Sequence, residues 1–168
     1  MEARVKLFGH PVHQMLIVLP LGLLTGAVIF DAIHLITGST TWSQISYWLI
    51  PVGVLSGLLA GIFGFADYLE IPTGTRAQRV GRLHGIGNIV VLVLFAVSWF
   101  LRESAMVRPT AIALVLSFSG GLLSMVTGWL GGELVDRLGV GVHDGANLNA
   151  PSSLKEGRAE ARRRPRAA

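Results

Sequence analysis

Four apolar runs, each long enough to cross a bilayer, dominate the chain and leave few folds open to it. Residues 14 to 30 (QMLIVLPLGLLTGAVIF) carry no charge, and the apolar pattern continues through Ile36. Similar runs cover 47 to 66 (YWLIPVGVLSGLLAGIFGFA), 83 to 101 (LHGIGNIVVLVLFAVSWFL) and 109 to 132 (PTAIALVLSFSGGLLSMVTGWLGG). A helix rises about 1.5 Å per residue, so about 20 such residues span roughly 30 Å of hydrocarbon. Composition agrees: 51% of the residues are hydrophobic and 14% charged, against about 25% charged in a soluble chain. Short connections predict an all-α, up-down-up-down bundle of four transmembrane helices over about 14–36, 47–66, 83–101 and 109–132. Residues 1–13 form a leading segment, 14–147 the membrane domain with its post-span segment, and 148–168 a basic tail. The first run is too long for the apolar core of a signal peptide, and no small-x-small cleavage site follows it, so it is expected to stay.

Cations set the expected direction, because loops rich in Lys and Arg remain cytoplasmic. One side holds Arg4, Lys6, Arg76, Arg79, Arg82, Arg137 and the tail cations Lys155, Arg158, Arg162, Arg163, Arg164 and Arg166; the other holds Arg102 and Arg108. Both termini are therefore expected on the cytoplasmic side, with 38 to 46 (GSTTWSQIS) as an uncharged outer loop. Trp42, Tyr47, Trp48, Tyr68, Trp99 and Trp129 fall near span ends and read as interfacial anchors. The basic tail cannot bury a core and suits anionic lipid; nucleic acid is not expected as a partner.

Spans two and four share the pattern GLL-x4-G-aromatic, at Gly57 to Phe65 and at Gly121 to Trp129, which suggests two hairpins related by an axis along the membrane normal. Histidines precede or open spans one and three, His10 and His13 in the first case and His84 in the second. Opposed across such an axis, two imidazoles could share one ligand. Gly53, Gly57 and Gly61 form a small-xxx-small series for close helix approach, and Pro20 and Pro51 are candidate kinks.

Alternating span directions gather His10, His13, Asp67, Glu70, His84, Asn88, Glu133 and Asp136 at one end, drawn from all four helices. Asp31 and His34 form a second layer near the other end, and Asp31, the deepest charge, is expected to face another helix, as a protonated acid. Asp67 and Glu133 also suit simple pairing with Arg76, Arg79, Arg82 or Arg137, and His143 suits a solvated loop. The chain holds no cysteine, which excludes disulfides, thiolate nucleophiles and Cys-ligated metal, and no HExxH, GxSxG or P-loop occurs. No catalytic constellation stands out, so an enzyme is not the expected reading.

The segments LFGHPVHQMLIVLPLGLLTGAVIFD (7 to 31), FGFADYLEIPTGTRAQRVGRLHGIGN (63 to 88) and GWLGGELVDRLGVGV (128 to 142) resemble the DUF2231-type family of predicted bacterial four-helix inner-membrane proteins. The resemblance implies a small membrane protein without an assigned role. Some relatives look fused to Rieske-type iron–sulphur domains, which implies a link to electron transfer. His10, His13, Asp31, Asp67, His84, Asn88 and Glu133 match the family pattern. Gln14 stands where many relatives repeat His-Pro, and Val18 where some have histidine.

Three functional expectations follow. The simplest is a membrane assembly partner, in contact with a redox protein or a second copy of itself. The second is an electron-transfer module holding haem b or a divalent metal, with His84 opposite His13 or His10 as ligands and Asn88 or Asp67 orienting the rings. The third is a small proton or ion pathway lined by Asp31, His34, Asp67 and His84.

Overall fold

The computed structural model describes residues 1–102 and 108–155. The arginines of the tail, Arg158, Arg162, Arg163, Arg164 and Arg166, lie outside the described residues. A small antiparallel hairpin, β1 (Lys6–Leu7) and β2 (His10–Pro11), leads into α1 (Val12–Leu16) and α2 (Val18–Thr37). α3 (Thr40–Tyr68), α4 (Arg76–Phe100) and α5 (Ala111–Gly132) follow, and a π-helical turn, Glu133–Arg137, extends α5. Among the described residues, four helical stretches are long and apolar enough to cross a membrane: Val12–Thr37, Thr40–Tyr68, Arg76–Phe100 and Ala111–Arg137.

Local chemistry sets the helix ends. Pro20 has no N–H for the Leu16 carbonyl, and the helix is interrupted at Ile17, between α1 and α2. Pro51 lies within α3, which runs on through it. Gly38 closes α2 in the left-handed conformation (φ 70°) and donates its N–H to His34 O at 2.8 Å. α3 starts at Thr40, so the expected outer loop 38 to 46 is a turn at Gly38 and Ser39 followed by helix. At the start of α4, Thr75 Oγ1 accepts from Gln78 N–H at 3.1 Å while Gln78 Oε1 accepts from Gly74 N–H at 3.0 Å. That reciprocal T-x-x-Q cap starts the helix seven residues before the apolar run at Leu83.

α2 packs chiefly on α3 and α4 on α5, while α3 against α4 joins the two hairpins. α2 and α4 therefore stand on one diagonal of the bundle and α3 and α5 on the other. The buried core is Leu24, Ala27, Ile50, Val91 and Phe95. Two glycines make its closest approaches: a Cβ on Gly53 would fall 2.6 Å from Leu24 Cδ2, and one on Gly120 would fall 2.8 Å from Phe95 Cε2. Gly57 receives Leu92 and Pro20 in the same way, but Gly61, the third of the small-residue series, meets open space.

Leu21, Leu55, Ile62, Val93, Leu122 and Met125 point outward. In water such a surface would aggregate; against acyl chains it costs nothing. Trp48 and Trp129 are exposed, as interfacial anchors should be. Tyr47 differs from the expectation: it is buried, packed edge-on to Trp48 at 5.2 Å and against Trp99 at 5.7 Å, and Trp99 Nε1 is itself buried. Trp42 stacks on Phe30 at 5.4 Å. These rings pack between helices because α3 extends seven residues further than its apolar run.

Candidate functional site

The polar residues separate into two layers, one at each end of the bundle. At the end beside the β-hairpin, His13 leaves α1 and places Nδ1 2.9 Å from the carbonyl of Ala60 on α3. His84, on α4, places Nδ1 2.9 Å from the carbonyl of Thr127 on α5. A carbonyl only accepts, so each Nδ1 is protonated and donates, and in the neutral ring Nε2 is the nitrogen that carries the lone pair. Each ring lies against a glycine: a Cβ would come within 2.7 Å of the His13 ring at Gly64 and 3.0 Å of the His84 ring at Gly131.

These contacts repeat with constant spacing. His84, Phe95 and Arg102 each stand 71 residues after His13, Leu24 and Asp31, and Gly120, Thr127 and Gly131 each stand 67 residues after Gly53, Ala60 and Gly64. The structural register of the two hairpins therefore differs by three residues from the GLL-x4-G-aromatic match. In that match Gly128 corresponds to Gly64, yet a Cβ on Gly128 would meet nothing within 4 Å.

Around His84 the partners are local. Asn88, one turn on, donates Nδ2–H to the His84 carbonyl at 2.9 Å and lies 3.2 Å from its Nε2, while Thr127 Oγ1 donates to Asn88 Oδ1 at 3.1 Å. Asp67 has a different role from the expected pairing with arginine: its Oδ1 accepts the backbone N–H groups of Arg4 at 2.8 Å and Val5 at 3.4 Å, tying the leading segment across the end of α3. Glu133 does pair with an arginine, Arg76 Nη2 at 2.5 Å, and Glu70 pairs with Arg4 at 3.2 Å. His10 is not brought into the pair; it sits exposed on β2, with Nε2 3.4 Å from Ser153 Oγ. His143 lies 3.3 Å from Glu2. The Lys6 ammonium, hydrogen-bonded to Glu2, holds that carboxyl below the usual carboxylate range, helped by the Asp144 backbone N–H. Among the described residues, no group of three or more His, Asp or Glu side chains is arranged to hold a metal ion.

The layer at the other end is a closed ionic network. Arg102, at the end of α4, turns back into the bundle and grips Asp31 of α2 with both terminal nitrogens, Nη1 to Oδ1 at 2.7 Å and Nη2 to Oδ2 at 2.6 Å. Ser117 Oγ donates to Asp31 Oδ2 at 2.8 Å, Arg102 Nη1 reaches Ser46 Oγ at 3.2 Å, and Arg102 Nε reaches Ser98 Oγ at 3.3 Å. Asp31 is 0% and Arg102 1% exposed. Every hydrogen bond of the Asp31 carboxyl is one it accepts, the pattern of an ion-paired carboxylate and not of the protonated acid expected from its depth. His34 stands apart, with Nδ1 2.8 Å from Ser39 O across the α2–α3 turn. The cation count puts Arg102 at the end away from the cation-rich side, where it lies, but gives it no partner. The signal for its partner is the 71-residue spacing, which puts it opposite Asp31 once His13 and His84 are superposed.

Residues 9–144 match the family described as predicted membrane protein (DUF2231). The chain belongs to that family. No curated protein and no solved structure matches this DUF2231 member. The family description gives a membrane protein and assigns no activity, so function has to be argued from the two polar layers.

Proposed function

We propose that this DUF2231 protein is a small electron-transfer module whose His13 and His84 hold a haem b, or failing that a divalent metal, between the two hairpins. The observation that carries the reading is the matched pair of Nδ1–H to carbonyl bonds, His13 to Ala60 and His84 to Thr127. Ligating histidines nearly always donate their other ring N–H to a carbonyl or carboxylate, which fixes the tautomer and turns Nε2 outward as the ligand. Helices α1 and α4 supply one imidazole each from opposite hairpins, and bundles build cofactor sites from side chains on facing helices.

The donor set favours haem over a bare ion. Haem iron takes two axial ligands and brings its own four nitrogens, whereas a divalent ion needs more protein donors than two imidazoles. Asp67 and Asn88 are the nearest further candidates, but Asp67 is engaged by two backbone amides and Asn88 by Thr127 and His84. In this reading Asn88 steadies His84, and Glu133 and Asp67 organise the surrounding segments. Bound iron would supply one-electron chemistry. The cation count argues that this end faces the cytoplasm.

The test is to purify the protein in mild detergent from haem-replete cells, record oxidised and reduced visible spectra and measure metal content. A Soret band that sharpens on reduction is expected, lost in His13→Ala and in His84→Ala and retained in His10→Ala. Colourless, metal-free wild-type protein would sink the proposal.

A pathway through Asp31 has less support, because Arg102 and Ser117 occupy both carboxylate oxygens. Proton or ion flux into proteoliposomes is expected to be the same for Asp31→Asn and wild type wherever the variant is folded. A marked drop in flux would restore the pathway reading. Assembly with another membrane protein is the remaining alternative, and colourless protein that co-purifies with a fixed partner would favour it.

A further inference from the structure

The β1–β2 hairpin presents an arrangement that neither the bundle nor the histidine pair requires. Its turn has two residues, Phe8 at φ 53° and Gly9 at φ 84°. A tight hairpin of this hand needs positive φ at both central positions, and Asn, Asp or Gly normally takes the first of them. Here an aromatic residue occupies that strained position, and its side chain packs on little else: Phe8 is 72% exposed and Leu7 beside it 47%. The C-terminal stretch comes to the same place. A Cβ on Gly9 would lie 2.7 Å from Ser153 Cβ, and Ser153 Oγ lies 3.4 Å from His10 Nε2, which brings the next residue, Leu154, 62% exposed, to the neighbourhood of the turn. Residues more than 140 positions apart thus meet at the hairpin.

The tip also lies beside the surface that lipid covers. The first span begins at Val12, four residues after Phe8, so the tip is within about 14 Å of it even with the chain fully extended. Met15, Val18 and Leu19 continue the exposed apolar surface from the hairpin along the span. We propose that Phe8, Leu7 and Leu154 form an interfacial anchor seated at the boundary between headgroups and acyl chains. Phe and Leu side chains bury their apolar surface at that boundary, which gives an aromatic residue a use at a backbone position that disfavours it. The anchor would hold the leading segment flat across the end of α3, where Asp67 receives it.

The native chain contains no cysteine, so single nitroxide labels can be introduced without removing others. Phe8→Cys, Leu154→Cys and, as a reference on the post-span loop, Ala146→Cys are labelled and reconstituted in phosphatidylcholine–phosphatidylglycerol vesicles. Collision with oxygen, which concentrates in lipid, is compared with collision with a water-soluble nickel chelate. The labels at 8 and 154 are expected to collide more with oxygen, and the label at 146 more with nickel. Leu154→Cys leaves the turn untouched, so a label there that behaves as at 146 overturns the proposal even if substitution at Phe8 disturbs the hairpin. A label at 8 in water with the hairpin intact overturns it equally.

Discussion

Arg102→Leu is expected to destabilise the detergent-solubilised protein by about 3–5 kcal/mol, the usual cost of leaving one member of a buried ion pair without its partner. The geometry puts the pair at the expensive end of that range. Asp31 is fully buried and would keep one donor, Ser117 Oγ, for two charged oxygens. Arg102 now commits four N–H groups, two to Asp31 and one each to Ser46 and Ser98. Its removal takes a donor from both hydroxyls, although Ser98 Oγ keeps its own bond to Ala113 O at 2.6 Å. The double variant Asp31→Leu/Arg102→Leu should recover most of the loss, because two apolar side chains of similar volume carry no desolvation cost. Thermal or denaturant unfolding of wild type, both single variants and the double variant gives the coupling directly. Additive losses would show that the two residues do not act as a pair.

The second large effect is expected at the two glycine contacts of the buried core. Gly120→Ala and Gly53→Ala should each cost about 1–3 kcal/mol by overpacking. A methyl on Gly120 would meet the Phe95 ring at 2.8 Å, and Phe95 is 0% exposed, with no free direction to retreat. A methyl on Gly53 would meet Leu24 at Cγ as well as Cδ2, so a rotation of the chain end alone does not clear it. Gly61→Ala, facing open space, is the matched control and should change stability little. Gly120→Ala combined with Phe95→Leu should lose less than the sum of the two single changes, and strict additivity would argue against the contact. The same unfolding measurement serves all five proteins.

Length and hydrophobicity were enough to read the four helices, because a lipid-facing helix has to be apolar along its whole length. Helix ends were less legible. Thr40 to Ser46 are uncharged and mostly polar and read as a loop, yet nothing in them opposes helix once Gly38 has made the turn. The histidine pair was visible because His13 and His84 both fall at the start of apolar runs. Their acceptors, Ala60 O and Thr127 O, were not visible, since backbone carbonyls leave no mark on side-chain composition. The partner of Arg102 was hidden for a related reason: one residue past an apolar run, a long cation reads as a surface charge, and only the position of Asp31 in the other hairpin tells it to turn inward. The repeat was sensed through glycines, but in the wrong register, because Gly and Leu recur so often in such helices that three residues of slippage still produce a match.

The superposition of Asp31 on Arg102 has a consequence for self-recognition. Two copies of the first hairpin, docked as the two halves are docked here, would bury acid against acid; two copies of the second would bury base against base. Like charges in that dry site repel, and only the mixed arrangement is neutral. A single divergence between the halves thus makes each one the specific complement of the other, and makes the continuous chain select its own second half over a copy of its first.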